Sequence, residues 1–172
     1  MSDEESQHDD IEFEESDNSS HSSATTFHSQ FSTILPNGLT SICFGNSFNK
    51  NVDNLPSSIT SISFGRAFNK PVDNLPENLQ SLSFGDNFNQ SVDKLPSNLK
   101  DICFGDAFNQ TVDNLPSTLQ SIRFGRNFNQ RVDNLPSNLT SLSFGDAFNQ
   151  PVDKLPKTIT DLSFGENFNQ NV

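Results

Sequence analysis

The chain repeats one 20-residue unit six times in full over 35–154 and a seventh time over 155–172, without an insertion, and this period constrains its fold more than any other feature. The pair Phe-Gly recurs every twenty residues from Phe44 to Phe164, and the pair Phe-Asn recurs with the same spacing from Phe48 to Phe168. A fixed period of about 20–50 residues is typical of repeat proteins, in which each unit packs only against its neighbours. The sequence therefore predicts a stack of similar coils.

The repeats divide the chain into three predicted parts. These are an acidic, serine-rich tail over 1–23, a degenerate N-terminal cap over 24–34, and seven repeats over 35–54, 55–74, 75–94, 95–114, 115–134, 135–154 and 155–172. Residues 1–30 hold nine acidic residues and no lysine or arginine. Such a stretch buries too little apolar surface to offset chain entropy, so we expect the tail to be disordered. The cap is predicted from three apolar residues spaced like the second half of a repeat: Phe27, Phe31 and Ile34.

Each repeat contains one segment with the alternation typical of a β-strand. In "TSISF" (60–64), Ile62 and Phe64 alternate with two serines. Gly65 is expected to end the strand, where the backbone turns sharply or adopts a positive φ. Pro56 marks the opposite corner, because proline fixes φ and cannot donate a hydrogen bond.

Twenty residues leave no room for a strand and a full helix together, so the return segments are expected to be mostly non-helical. Stacked coils would align their strands in one parallel ladder, with six apolar columns pointing inward. In the second repeat these are Leu55, Ile59, Ile62, Phe64, Phe68 and Val72. The predicted fold class is a repeat solenoid with one short parallel strand in each coil.

The segment "LPSSITSISFGRAFNKPV" (55–72) and its six copies resemble a leucine-rich repeat, and in particular the FNIP repeat. This short leucine-rich-like family is known from social amoebae and from large DNA viruses of amoebae. The resemblance implies a solenoid. After Phe-Asn this chain has Lys or Gln rather than Ile. Members of the family often carry an amino-terminal F-box that docks to ubiquitin-ligase adaptors; the residues before the repeats are acidic and show no F-box, so adaptor docking is not implied.

Composition argues against several classes of function. The net charge of −12 disfavours nucleic-acid binding. No signal peptide is recognisable, and no apolar run approaches the roughly 18 residues of a membrane helix. All three histidines (His8, His21 and His28) precede the repeats, so the repeats lack a histidine that could activate a serine or cysteine. We therefore predict a protein that is not an enzyme and needs no cofactor.

The two cysteines, Cys43 and Cys103, occupy the same position three repeats apart. At about 4.8 Å per coil they would lie roughly 14 Å apart, beyond the roughly 7 Å limit for a disulfide. Unpaired thiols favour a reducing compartment, and we expect an intracellular, cytoplasmic protein. The glycosylation sequons at Asn89 and Asn109 fall in the Phe-Asn column, which we expect to be buried, and this also argues against secretion.

Two invariant polar columns have both a structural and a functional interpretation. The asparagine column (Asn49 to Asn169) could bind a ligand, but we favour a ladder of amide bonds to the backbone of adjacent coils. The aspartate column (Asp53 to Asp153) could hold Ca²⁺, which prefers six to eight oxygens. One carboxylate per coil is too few, so we favour Asx-type turns in which each carboxylate accepts a backbone N–H near Leu-Pro.

Function is expected at the positions that differ between coils. The fifth repeat alone carries Arg123, Arg126 and Arg131, and we hypothesise that these arginines bind a protein partner with an acidic surface. Four further charged residues complete the predicted site: Asp101, Asp106, Arg66 and Asp86. In the alternative interpretation, Arg126 between Asp106 and Asp146, and Arg66 beside Asp86, form exposed ion pairs of about 0.2–1 kcal/mol each.

Two further predictions concern the termini. The repeats run to Val172 without a polar cap, so an alternative function is a structural or self-assembling scaffold that forms a tail-to-tail homodimer through this end. Ser2 and Ser16 lie among carboxylates and are candidate phosphorylation sites. The alternative is that the acidic tail only keeps the protein soluble.

Overall fold

The repeats form one continuous ladder of short strands. A computed structural model describes residues 12–13, 35 and 38–171. The strands are β1 (Glu12–Phe13), β2 (Ser41–Phe44), β3 (Ser61–Ser63), β4 (Ser81–Ser83), β5 (Asp101–Cys103), β6 (Ser121–Arg123), β7 (Ser141–Ser143) and β8 (Asp161–Ser163). They build a single sheet in chain order, and every neighbouring pair is parallel. The predicted parallel solenoid is confirmed.

Each coil is a strand followed by three two-residue turns. In the coil 55–74 and its successor, the turns lie at 66–67, 73–74 and 77–78, and the described residues contain no helix. From β2 onwards each strand residue pairs with the residue twenty positions later, for example Ile42 with Ile62. This register keeps equivalent side chains in straight rows, as the period predicts.

The core is built from the predicted inward columns. Ile59, Ile62, Phe64, Phe68 and Val72 are all buried, and the same positions are buried in the next coils up to 152. The leucine of Leu-Pro lies at the margin of this core, since Leu75 is buried whereas Leu55 and Leu95 are half-buried. A single coil on its own would expose the apolar side chains on both of its faces. Each coil therefore depends on its two neighbours to bury these side chains.

Two columns of stacked phenylalanine rings fill the centre of the core. Within a coil, the ring centroids of Phe104 and Phe108 lie 3.9 Å apart. Between coils, Phe104 lies 5.5 Å from Phe124, and Phe108 lies 6.0 Å from Phe128. The rings of these three pairs are within 11° of parallel. Such offset pairs contribute about 0.5–1.5 kcal/mol beyond the area that they bury.

The glycine that follows each strand is required for a reason that the sequence does not reveal. Gly38 is the single glycine with a positive φ among the described residues, so of the two alternatives predicted for Gly65 and its equivalents the positive φ is excluded, and a turn follows at 66–67. Instead, a Cβ atom built on Gly85 would collide with the backbone carbonyl of Gly65. The glycines therefore let adjacent coils approach closely at this corner.

Several predictions fall on residues outside the described ranges. Within 1–23 the structure describes Glu12–Phe13, which form β1; the rest of the predicted tail, its serines and the predicted cap at 24–34 lie outside the described residues, as does Val172. No helix in the described ranges has the length and apolar character needed to cross a bilayer.

Candidate partner-binding face

The outward side of the ladder presents two straight rows of side chains, which we call the strand face. One row contains Ser41, Ser61, Ser81, Asp101, Ser121, Ser141 and Asp161. The other contains Cys43, Ser63, Ser83, Cys103, Arg123, Ser143 and Ser163. These rows alternate with the buried residues of each strand. Most of the strand face is therefore a flat array of short hydroxyls.

Asp101 and Arg123 break this array on adjacent strands. Asp101 pairs with Ser121, and Cys103 pairs with Arg123, so the two charged residues lie on one diagonal across β5 and β6. Both side chains are exposed. Within residues 38–171 neither belongs to an ion pair. The strand face thus carries one cation, Arg123, and two anions, of which Asp101 lies on the strand next to Arg123 and Asp161 lies on the last strand.

Arg66 and Arg126, which lie at the turns after β3 and β6, each form an ion pair with a carboxylate of the next coil. Nε of Arg66 lies 3.1 Å from Oδ2 of Asp86, and Nε of Arg126 lies 3.4 Å from Oδ2 of Asp146. The backbone N–H of Arg126 also donates to Oδ1 of Asp106 at 3.2 Å. The ion-pair interpretation is therefore confirmed for Arg66 with Asp86 and for Arg126 with Asp146, whereas Asp106 accepts the backbone N–H of Arg126 and does not pair with its guanidinium.

Arg131 occupies a third part of the coil. Its Nη1 lies 3.6 Å from Oδ2 of Asp133, and the same carboxylate oxygen lies 3.5 Å from Nζ of Lys154. Arg123 belongs to the strand, Arg126 to the first turn and Arg131 to the segment after that turn. The structure therefore distributes the three arginines around the coil, and Arg123 is the one that forms no ion pair with any residue in 38–171.

The asparagine column forms the predicted ladder. Oδ1 of Asn109 accepts the backbone N–H of Asn129 at 2.9 Å, and the same arrangement links Asn69 with Asn89 at 3.0 Å. The expected burial of this column is wrong, because Asn109 is exposed and Asn89 is half-buried. Each asparagine follows an inward phenylalanine, so its side chain lies on the outside of the coil.

Sequence reasoning missed the partner of this ladder, which is the glutamine that follows Phe-Asn. Nε2 of Gln130 donates to Oδ1 of Asn109 at 3.1 Å, and Gln110 donates to Asn89 at 2.9 Å. The recurrence of an amide in this column was the available signal. Its role is to link adjacent coils rather than to bind a ligand.

The aspartate column is also structural, although its donors differ from those expected. Oδ1 of Asp93 accepts Nδ2 of Asn114 at 3.1 Å, and its Oδ2 accepts Oγ of Ser91 at 2.8 Å. Both bonds hold the pKa of Asp93 below its usual value, and the bond from Asn114 has the larger effect. Asn134 donates to Asp113 in the same way at 3.0 Å. A side chain of the next coil therefore replaces the expected backbone donor near Leu-Pro.

No group of three or more potential metal ligands occurs among the described residues. A shallow groove crosses three coils, and it is lined by Ser58, Thr60, Asn78, Gln80, Asn98 and Lys100. Oγ of Ser58 donates to the carbonyl of Leu39 at 2.7 Å, and Nζ of Lys100 donates to Oε1 of Gln80 at 3.3 Å. The groove residues thus join coils together, and the strand face remains the candidate site.

A solved structure has the same fold. The crystal structure of CroV588, described as a novel circular LRR protein, aligns with this chain at a TM-score of 0.74 and 45% sequence identity. The alignment covers 80% of this chain and 22% of that protein, so the chain spans about a fifth of its relative's length. A search of curated proteins returned no match.

The family model of the FNIP repeat matches residues 32–67, 68–94, 91–127 and 111–147. These matches run without a gap over more than half of the chain. Repeat folds of this leucine-rich-like type are generally scaffolds for protein interaction rather than enzymes. The chain belongs to the FNIP repeat family.

Proposed function

We propose that the chain is a protein-interaction module that binds its partner through the strand face at β5 and β6. The observation that supports this proposal is the contrast in pairing between charges. Arg66, Arg126 and Arg131 each lie within 3.6 Å of a carboxylate, whereas the exposed side chains of Arg123 and Asp101 form no ion pair within residues 38–171.

The chemistry of the two residues defines the partner. A guanidinium presents a planar set of donors that fits a carboxylate, so Arg123 favours an acidic side chain on the partner. Asp101, one strand away on the diagonal, favours a cation. The surrounding serines are short and can donate or accept hydrogen bonds, which allows a partner's backbone to approach the sheet closely. The expected partner is a protein segment with both an acidic and a basic side chain.

The other predicted site residues have a smaller role in this proposal. A carboxylate that approaches Arg126 or Arg131 must compete with Asp146 or Asp133, which already lie 3.4 and 3.6 Å from these arginines. The same holds for the pair Arg66 and Asp86 at 3.1 Å. These residues then contribute to the electrostatic field at the rim of the site rather than to direct contact.

The test is capture of partners from native lysate, followed by affinity measurement with the partner identified. Arg123→Glu and Asp101→Arg should each weaken binding at least tenfold, which is about 1.4 kcal/mol. Arg66→Glu is the matched control, because it makes the same charge change on an arginine that is paired within the solenoid. It should retain binding. Unchanged affinity for both strand-face variants would refute the site.

A second candidate function is a self-assembling scaffold, and the last described coil favours it. Leu162 is 36% exposed, whereas its counterparts Leu142 and Ile122 are each 1% exposed. Another coil placed against β8 would cover this apolar surface. Sedimentation of the wild type should then show mass that rises with concentration, and Leu162→Lys should stay monomeric. A wild type that stays monomeric at high concentration would exclude this candidate.

The proposed module binds without catalysing a reaction and works inside the cell, in the cytoplasm. The repeats contain no histidine, which supports a role without catalysis. Cys43 and Cys103 carry thiols rather than disulfide sulfurs, which supports a location in the cytoplasm. Fractionation of the native source tests the location: recovery of the protein in a secreted fraction would contradict it.

A further inference from the structure

The first strand of the ladder comes from outside the repeats. β1 pairs in parallel with β2, with Glu12 opposite Cys43 and Phe13 opposite Phe44. Along the rest of the ladder the residue opposite a strand position is its counterpart in the neighbouring repeat, as for Cys43 and Ser63. Glu12 and Phe13 therefore stand where the strand of a preceding coil would stand.

The sequence around β1 resembles the sequence of the strands in the repeats. Ile11-Glu12-Phe13 has the pattern (Ile or Leu)-x-Phe, which recurs in the strands as Ile42-Cys43-Phe44 and Ile62-Ser63-Phe64. This is its one occurrence in residues 1–34. The register aligns the two patterns, because it sets Phe13 opposite the phenylalanine and Glu12 opposite the middle residue. The pairing and the sequence pattern therefore agree.

We propose that β1 (Glu12–Phe13) is a strand mimic that caps the N-terminal edge of the solenoid. The edge of a sheet presents unpaired N–H and C=O groups, and an extended segment can satisfy them by adding a strand. The occupant of the edge beside β2 is thus a short piece of the same chain that copies the strand of a repeat. This binding site lies at the end of the ladder and is separate from the strand face around Arg123.

As a strand mimic, this part of the acidic tail has a function, which is to cover the edge of the sheet. Residues 9–15 read "DDIEFEE", so the apolar pattern is flanked on each side by two carboxylates. Repulsion between acidic flanks opposes pairing of several such segments with one another, whereas the repeats provide a parallel strand to pair with. The tail thus covers the edge with a segment that does not itself aggregate.

Hydrogen exchange of the full-length chain tests the cap. The double variant Glu12→Pro/Phe13→Pro removes two backbone donors from β1, because proline cannot donate to a ladder. The segment 41–44 should then exchange faster, by about tenfold or more at the alternate amides that face β1, since the strand that covers them is lost; in the repeats the first strand residue likewise donates to the preceding coil, and the phenylalanine at the strand end donates to the next. Amides of 101–104, in the middle of the ladder, should not change. Unchanged exchange at 101–104 also shows that the variant is folded.

The matched control is Ser19→Pro/Ser20→Pro, which places the same two prolines in the tail but outside β1. It should exchange like the wild type. A second variant, Glu12→Thr, keeps the pattern and raises β-propensity, so it should slow exchange of 41–44. Equal exchange at 41–44 in the wild type and in the proline variant of β1 would overturn the proposal.

The two thiols give an independent measurement in the same molecule. Cys43 lies beside Glu12 in the ladder, and Cys103 occupies the same row between β4 and β6. Alkylation of Cys43, read against Cys103 by mass spectrometry, should accelerate severalfold in the double variant of β1. Protection that is independent of protein concentration supports capping by the same chain, whereas protection that rises with concentration would assign the strand to a second copy and overturn it.

Discussion

Adjacent residues of one strand have opposite roles in this protein. Ile122 is 1% exposed and packs in the core, whereas Arg123 is exposed and has no ion pair within residues 38–171. The inward side is nearly identical in all coils, and the outward side varies. The coil therefore separates stability from recognition residue by residue, so inward substitutions should change stability and outward ones should change partner binding.

The largest effect is expected in the centre of the core. Phe108 is 0% exposed and stacks on Phe104 within its coil and on Phe88 and Phe128 in the neighbouring coils. Phe108→Ala should lower the free energy of unfolding by about 3–5 kcal/mol, because it leaves a cavity and breaks these three ring contacts and a fourth with Phe124. Urea denaturation measures the change. A loss below about 1 kcal/mol would mean that the coils collapse around the gap.

Gly105→Ala should have the next largest effect. A Cβ at this position would meet the backbone of Gly85, which cannot rotate away as a side chain could. We expect a loss of about 1–3 kcal/mol from the forced separation of two coils. Gly38→Ala is a control with nothing near the added Cβ, although its φ of 99° adds some backbone strain. A larger loss at Gly38 would contradict the close-approach explanation of the glycine column.

Asn109→Ala should cost less, because the column lies on the outside of the coil. The change removes the acceptor of the Asn129 N–H and of the Gln130 amide. The expected loss is about 1 kcal/mol, since water can replace part of an exposed bond. Gln130→Ala, which removes the second of these bonds alone, should cost about half as much. Equal losses would show that the backbone bond contributes little.

The smallest effects on stability are expected at the arginines, where Arg126→Ala and Arg123→Ala can be compared directly. Arg126→Ala removes an exposed ion pair with Asp146 and should cost about 0.2–1 kcal/mol. Arg123→Ala removes no ion pair within the solenoid, and its midpoint in urea should match the wild type. The same variant should weaken partner binding. A measurable loss of stability in Arg123→Ala would indicate a structural role for this residue.

Much of the fold could be predicted because the period supplies long-range information. Twenty residues between Ile62 and Leu82 place these residues opposite each other, which fixes the register of the ladder without further knowledge. The alternation of Ile62 and Phe64 with serines identifies the strand and its buried side.

The remaining features depend on the path of the chain between strands, which the period does not describe. Asp93 meets Asn114, twenty-one rather than twenty positions later, because the turn offsets the two columns by one residue. The glycine column depends on the distance between coils at one corner rather than on φ. The arrangement of the candidate site depends on the ladder for the same reason: the sequence groups Arg123 with Arg126 and Arg131, whereas the ladder pairs it with Cys103 and places it diagonal to Asp101.

The straight rows of the strand face have a consequence for how such a protein can change over generations. Duplication of one 20-residue unit moves every later outward residue by one step of about 4.8 Å and leaves each coil with neighbours of the same shape. The distance between two recognition residues is therefore adjustable in fixed increments by gene duplication alone. A chain of this design can match the spacing of charges on a new partner without any redesign of its core.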